Sequence, residues 1–137
     1  MKPKLINKMI KHFSKAVDNQ MVYIKKLKDG KSSLEKTLQN LKDELAKEQE
    51  AISYNIELRQ FFAMYYQVNM SRQEAFVLQI NKQQEAIDAA QDVLVSIKKE
   101  QMKFEKLLEN YNLKISEEES KQETKELDEF SIIGHRL

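Results

Sequence analysis

The sequence predicts an all-α protein, a long two-helix antiparallel coiled-coil hairpin. Three observations carry this: two apolar heptad ladders, very few helix-breaking residues, and a turn signal between the ladders. On the first ladder, alternating spacings of four and three fall on Ile6, Ile10, Phe13, Val17, Gln20, Ile24, Leu27, Lys31, Leu34, Leu38, Leu41, Leu45, Glu48 and Ile52, and eleven of these fourteen sites are apolar. The second ladder falls on Phe76, Ile80, Gln83, Ile87, Ala90, Leu94, Ile97, Gln101, Phe104, Leu108, Tyr111 and Ile115, with ten of twelve apolar. A 3.5-residue apolar period keeps one narrow seam turned toward a partner helix. Two glycines and one proline in 137 residues leave little room for turns or strand punctuation.

Composition agrees with a thin core. Charged residues make up 33% and hydrophobic residues 41% of the chain, and the mean hydropathy is −0.67. That is enough apolar matter to fill a seam between helices, and too little for a thick globular interior. The absence of cysteine removes disulfides and thiolate chemistry and fits a reducing compartment.

Taken in order, the first element is basic. Lys2, Lys4, Lys8, Lys11 and Lys15 interrupt the apolar residues of the N-terminus, so it lacks the continuous apolar stretch of a secretory signal. No apolar run approaches the roughly 20 residues that span a bilayer, and a cytoplasmic protein without direct membrane insertion is expected. Helix 1 is expected from about residue 4 to about 68. Gly30 and the Ser32/Glu35 pair suggest a break, but Leu27 and Leu34 stay seven apart, so the ladder predicts a continuous helix with a weak point. The turn is expected at about 69–71, because Ser71 and Glu74 have the spacing of a capping box and Phe76 opens the next ladder. Helix 2 then runs from about 72 to about 126, followed by a tail at 127–137. Arms of nearly equal length joined by a short turn imply that the numbers of facing residues sum to about 140, with Leu45 near Leu94 to Ile97 and Leu27 near Tyr111 to Ile115.

The net charge of +1 conceals a segregation. Residues 1–30 hold eight Lys against two acidic residues, and residues 116–137 hold three basic against seven acidic. An antiparallel hairpin of equal arms brings these segments together, and their attraction is expected to favour it.

No catalytic constellation can be assembled from these residues, and no enzyme activity or cofactor is expected. His12 and His135 read as surface histidines, not a metal pair. Glu117, Glu118 and Glu119 read as a solvated helical face. No glycine-rich phosphate loop occurs. The basic N-terminus and the aromatic cluster are placed at opposite ends of the hairpin, which argues against a joint nucleic-acid site. The cluster itself, Phe61-Phe62-Ala63-Met64-Tyr65-Tyr66, exceeds what one seam needs. Phe62 and Tyr66 continue the ladder inward and leave Phe61, Met64, Tyr65 and Met70 turned elsewhere, either closing the end of the coil or forming a docking patch. At the other end, Leu127 and Phe130 are expected to pack on Ile10 and Phe13. Ile132, Ile133 and Leu137 lie beyond the seam, as a frayed tail or as a partner-binding segment.

An N-terminal basic helix, two long heptad helices, an aromatic-rich middle and Leu127-Asp128-Glu129-Phe130 closely followed by His135-Arg136 together resemble the FliJ/YscO proteins of flagellar and virulence type III secretion. The resemblance covers nearly the whole chain in layout, and its compact motif is the Leu-Asp-Glu-Phe tail. It implies a central stalk, similar to the coiled-coil rotor subunit of rotary ATPases, whose terminal end enters a hexameric export ATPase and which also engages the membrane export gate and escorts export chaperones. Such a protein is cytoplasmic and peripheral at the inner membrane. Carried onto this sequence, the ring contacts are Lys4, Lys8, Lys11, Lys15, Phe130, Ile132 and Ile133, and the gate contacts are Phe61, Met64, Tyr65, Met70, Phe76 and Ile80. The segment after Phe130 is short and apolar where the family carries a longer basic one. The alternative expectation is a generic coiled-coil scaffold or a prefoldin-like chaperone arm.

Overall fold

The computed structural model of the chain describes residues 1–53 and 56–136, leaving out the side chains of Ile56 and of residues 134–136. Two long helices account for almost all of it: α1, Pro3–Ile52, and α2, Arg59–Arg136, with the short 3₁₀ turn Ile56–Leu58 before α2. They pack against each other as an antiparallel hairpin without strands among the described residues. α1 starts where proline is best tolerated, at the first helical position, where a missing N–H costs nothing. It runs unbroken through Gly30, as the unshifted ladder predicts.

The turn lies elsewhere than expected. Residues 69–71 are helical, and α1 ends at Ile52 instead of near 68. Ser53 closes α1, its hydroxyl donating to the Glu50 carbonyl at 2.6 Å while its N–H reaches the Gln49 carbonyl at 3.4 Å. The Ser71/Glu74 spacing is therefore not a cap. Asn69 and Gln73 continue the second ladder backward in unbroken four–three spacing, and both are buried, at 4% and 8% exposure. Two amides in apolar positions mimic a turn in sequence while serving as seam residues in the fold.

Moving the turn changes every pairing. Asn69 reaches Leu41, Gln83 reaches Leu27, and Gln20 reaches Ala90, so facing numbers sum to about 110 instead of 140. The arms are unequal, 50 residues against 78. The hairpin divides into two compact units.

In the unit formed by residues 19–94, Ile24, Leu41, Ile87 and Ala90 are buried. Burying a leucine or isoleucine side chain stabilises by about 1.5–3 kcal/mol, and three such positions along one seam, with the small Ala90 beside them, order the pair of helices. Three side-chain amides bond to backbone carbonyls across this seam: Gln20 Nε2 to Ala90 O at 2.9 Å, Gln83 Nε2 to Leu27 O at 2.9 Å, and Asn69 Nδ2 to Leu41 O at 3.0 Å. Asn69 also accepts from Gln73 Nε2 at 2.6 Å. Lys31, at a seam position, donates to Gln84 Oε1 at 2.7 Å and pairs with Glu35 at 3.5 Å. No buried side-chain nitrogen or oxygen among the described residues lacks a partner. A buried polar group costs little once it is hydrogen-bonded, so these amides add directional contacts to a seam that is otherwise non-directional. Gly30 has its own part here: a Cβ on it would stand 3.0 Å from Gln83 Nε2, so the missing side chain spares the Gln83 amide a shift of a few tenths of an ångström where it meets the α1 backbone.

In the unit formed by residues 1–18 and 95–137, Ile6 is 2% exposed, and Phe13 stacks on Phe104 with ring centroids 5.6 Å apart. At that register the first residues of α1 draw level with about residues 114–116 of α2. Beyond this the helix has no partner among the described residues, and every described side chain from Glu109 to Ile133 is exposed. The expected packing of Leu127 and Phe130 on Ile10 and Phe13 does not occur, because Phe104 occupies the place beside Phe13 and Leu127 and Phe130 are 69% and 77% exposed. No ion pair joins the described residues of 1–30 to those of 116–133. Apolar seam and amide contacts hold the hairpin; attraction between charged ends does not.

Candidate functional site

The sequence singles out a terminal and a central group of contact residues, and they fare differently. In the terminal unit, Lys4, Lys8, Lys11 and Lys15 are all exposed, spaced along α1 on faces that the seam residues Ile6, Ile10 and Phe13 leave to solvent. In the same unit Phe130, Ile132 and Ile133 are 77%, 53% and 58% exposed. Glu123, Glu126, Leu127 and Phe130 line a shallow depression on α2. The local chemistry is thus a basic, seam-anchored segment of α1 and an acidic, apolar-tipped segment of α2 that no residue of α1 covers. His12 makes an edge contact with Phe13, centroids 5.3 Å apart; the side chain of His135 and all of Leu137 lie outside the described residues.

In the central unit the aromatic cluster opens α2, directly after the turn instead of before it. Phe61 and Met64 point outward, 74% and 71% exposed, as expected. Tyr65 and Tyr66 exchange the places expected of them: Tyr65 is half-buried and Tyr66 is 45% exposed. Phe62 packs between them at centroid distances of 6.5 and 6.1 Å. Met70 is half-buried beside a groove lined by Lys42, Met70, Gln73, Glu74, Val77 and Leu78. Phe76 and Ile80 are half-buried seam residues, which removes most of their surface from any gate contact. Val77 and Leu78, at 44% and 63% exposure, are the neighbours that a partner would meet.

Sequence reasoning missed Val68, which is 57% exposed. It lies seven residues after Phe61 and four after Met64, and Gln67, Val68, Ser71, Arg72 and Ala75 line a shallow depression on the same helix. The signal was present: residues 60–71 form a twelve-residue stretch without one charged side chain in a chain that is one-third charged. A turn at 69–71 divides that stretch between two elements and hides its periodicity.

Among the described residues no group of three or more His, Asp or Glu side chains could hold a metal ion, and no helix is long and apolar enough to cross a membrane. What the surfaces offer is contact chemistry, in the form of lysines, carboxylates and exposed apolar side chains. No known protein family, characterised protein or solved structure matches the chain.

Proposed function

We propose that the protein is a coiled-coil stalk of a flagellar or type III protein-export apparatus, gripped at its terminal unit by the export ATPase ring and engaging the membrane export gate through the outer face of α2 near the turn. One observation carries the reading: the terminal unit joins a lysine-rich start of α1 to a long α2 segment that the described residues leave uncovered. A binding ring supplies the missing surroundings. Lys4, Lys8, Lys11 and Lys15 meet carboxylates of the ring, while Phe130, Ile132 and Ile133 enter its apolar lining. Phe61 and Met64 serve the gate contact, with Tyr65 and Met70 at its margin. Escort of export chaperones belongs to the same reading.

The test is direct. Purified chain is mixed with the export ATPase of the same source, and both co-sedimentation and ATP hydrolysis are measured. Binding and stimulated hydrolysis are expected, and replacing Lys4, Lys8, Lys11 and Lys15 by Glu is expected to reduce both at least tenfold at low salt, with the difference from the unsubstituted chain shrinking as salt rises. Absence of binding together with absence of stimulation removes the stalk reading. A prefoldin-like chaperone arm is the second reading, favoured by the outward Phe61, Met64, Val68 and Leu78. Suppression of client aggregation without any effect on the ATPase would select it.

A further inference from the structure

The start of α2 carries a second heptad ladder that α1 does not use. Phe61, Met64, Val68, Ser71, Ala75 and Leu78 follow spacings of three and four without a break, and all six are exposed. At about 100° per residue they form one stripe, more than a third of a turn round the helix from the seam residues Phe62, Asn69, Gln73 and Phe76. The stripe is about 27 Å long and ends at Lys82, which stands at the next ladder position. A stripe with this period fits another helix and little else.

We propose that this face binds a second copy of the same chain, the two stripes packing antiparallel about a two-fold axis centred between Val68 and Ser71. Size complementarity points to this occupant. In that register Phe61 lies against Leu78 of the second copy, Met64 against Ala75, and Val68 against Ser71, so each large side chain but Phe61 meets a small one and each layer occurs twice. The flanking residues agree. Antiparallel helices bring like flanks together, which sets the Tyr65 ring beside Arg72 of the second copy and Gln67 beside Glu74. The first pair is a cation–π contact, the second a hydrogen bond to a carboxylate, and no like charges oppose each other. A parallel pairing has no such fit: it stacks Phe61 on Phe61 and Ser71 on Ser71. The proposal stands on this second ladder and does not rest on the stalk reading; because Phe61 and Met64 serve both contacts, the dimer and the gate contact exclude each other.

An interface of this length buries on the order of 1,000 Å², the small end for specific contacts, so dimer and monomer exchange with concentration. Sedimentation velocity of the full chain over a concentration series is expected to show reversible dimerisation. Val68→Glu places two carboxylates at the two-fold axis and is expected to weaken it at least tenfold, with helix content unchanged and, at concentrations where the unsubstituted chain is monomeric, an unchanged unfolding midpoint, because Val68 is 57% exposed in the monomer. The register has its own readout. The chain contains no cysteine, so Val68→Cys and Ser71→Cys chains can be mixed and oxidised, and the mixed disulfide is expected to exceed either self-pair severalfold. A chain that stays monomeric at every concentration overturns the proposal. So does a dimer indifferent to Val68→Glu, or a mixed disulfide at only about twice the yield of each self-pair, the statistical ratio for random pairing; either result would mean that copies meet elsewhere and that this face belongs to a different partner.

Discussion

α2 is one uninterrupted helix with two ways of being stable. Between Asn69 and Ala90 it rests on α1 through buried Ile87 and Ala90 and through amides that bond across the seam. From Glu109 to Ile133 no described residue covers it, and its support is local: the Gln122–Glu126 side-chain contact at 3.3 Å and the Thr124 hydroxyl on the Ser120 carbonyl at 2.9 Å. Local pairs of this kind contribute a few tenths of a kcal/mol each, whereas a helix in water owes most of its stability to packing. The same backbone geometry thus rests on large cooperative terms in one region and small independent ones in the other.

Substitutions should separate the two regions by size of effect. Ile87→Ala removes a side chain only 2% exposed and is expected to cost about 2–5 kcal/mol in urea unfolding; a loss under 1 kcal/mol would mean that the seam is far looser than drawn. Asn69→Ala takes the donor from Leu41 and the acceptor from Gln73 at once, and about 1–3 kcal/mol should follow. Gly30→Ala is the informative near-zero case. Alanine improves helix propensity by about 1 kcal/mol, but its Cβ pushes Gln83 from the Leu27 carbonyl, so the net change should stay within about 0.5 kcal/mol. In a Gln83→Ala background the same change should stabilise by about 1 kcal/mol, and a double-mutant cycle without that coupling would refute the role given to Gly30. Ile132→Ala, 53% exposed, is expected to move stability by less than about 0.5 kcal/mol. Hydrogen exchange offers the parallel measurement, with amides of residues 110–130 exchanging well before those of residues 80–92.

Much of this was legible before any coordinates. The ladder from Ile6 to Leu45 consists wholly of residues that the structure places in the seam, and the seven-residue step from Leu27 to Leu34 correctly carried α1 through Gly30. The turn was not legible, for a physical reason: Asn, Ser and Gln favour turns when their side chains bond locally, and the same groups suit a helix seam when a carbonyl lies opposite. Only the partner helix decides between these uses, and the location of that partner depends on the turn itself. An error of some fifteen residues in the turn then hid both the uncovered end of α2 and the outward stripe beginning at Phe61. Ser53, which closes α1, has no capping box after it to advertise the end of the helix.

Gly30 has a consequence for how the two helices respond to being pushed past each other. Backbone carbonyls recur at every turn, so Gln83 would find an acceptor in many alignments, but only beside Gly30 does α1 leave it free of a crowding side chain. Sliding α2 by one heptad sets Gln83 beside Tyr23 or Thr37, where side chains fill the space that glycine leaves open. The pair therefore favours one alignment over its heptad-shifted neighbours: an axial slide in either direction brings the Gln83 amide against a side chain where glycine now leaves it room.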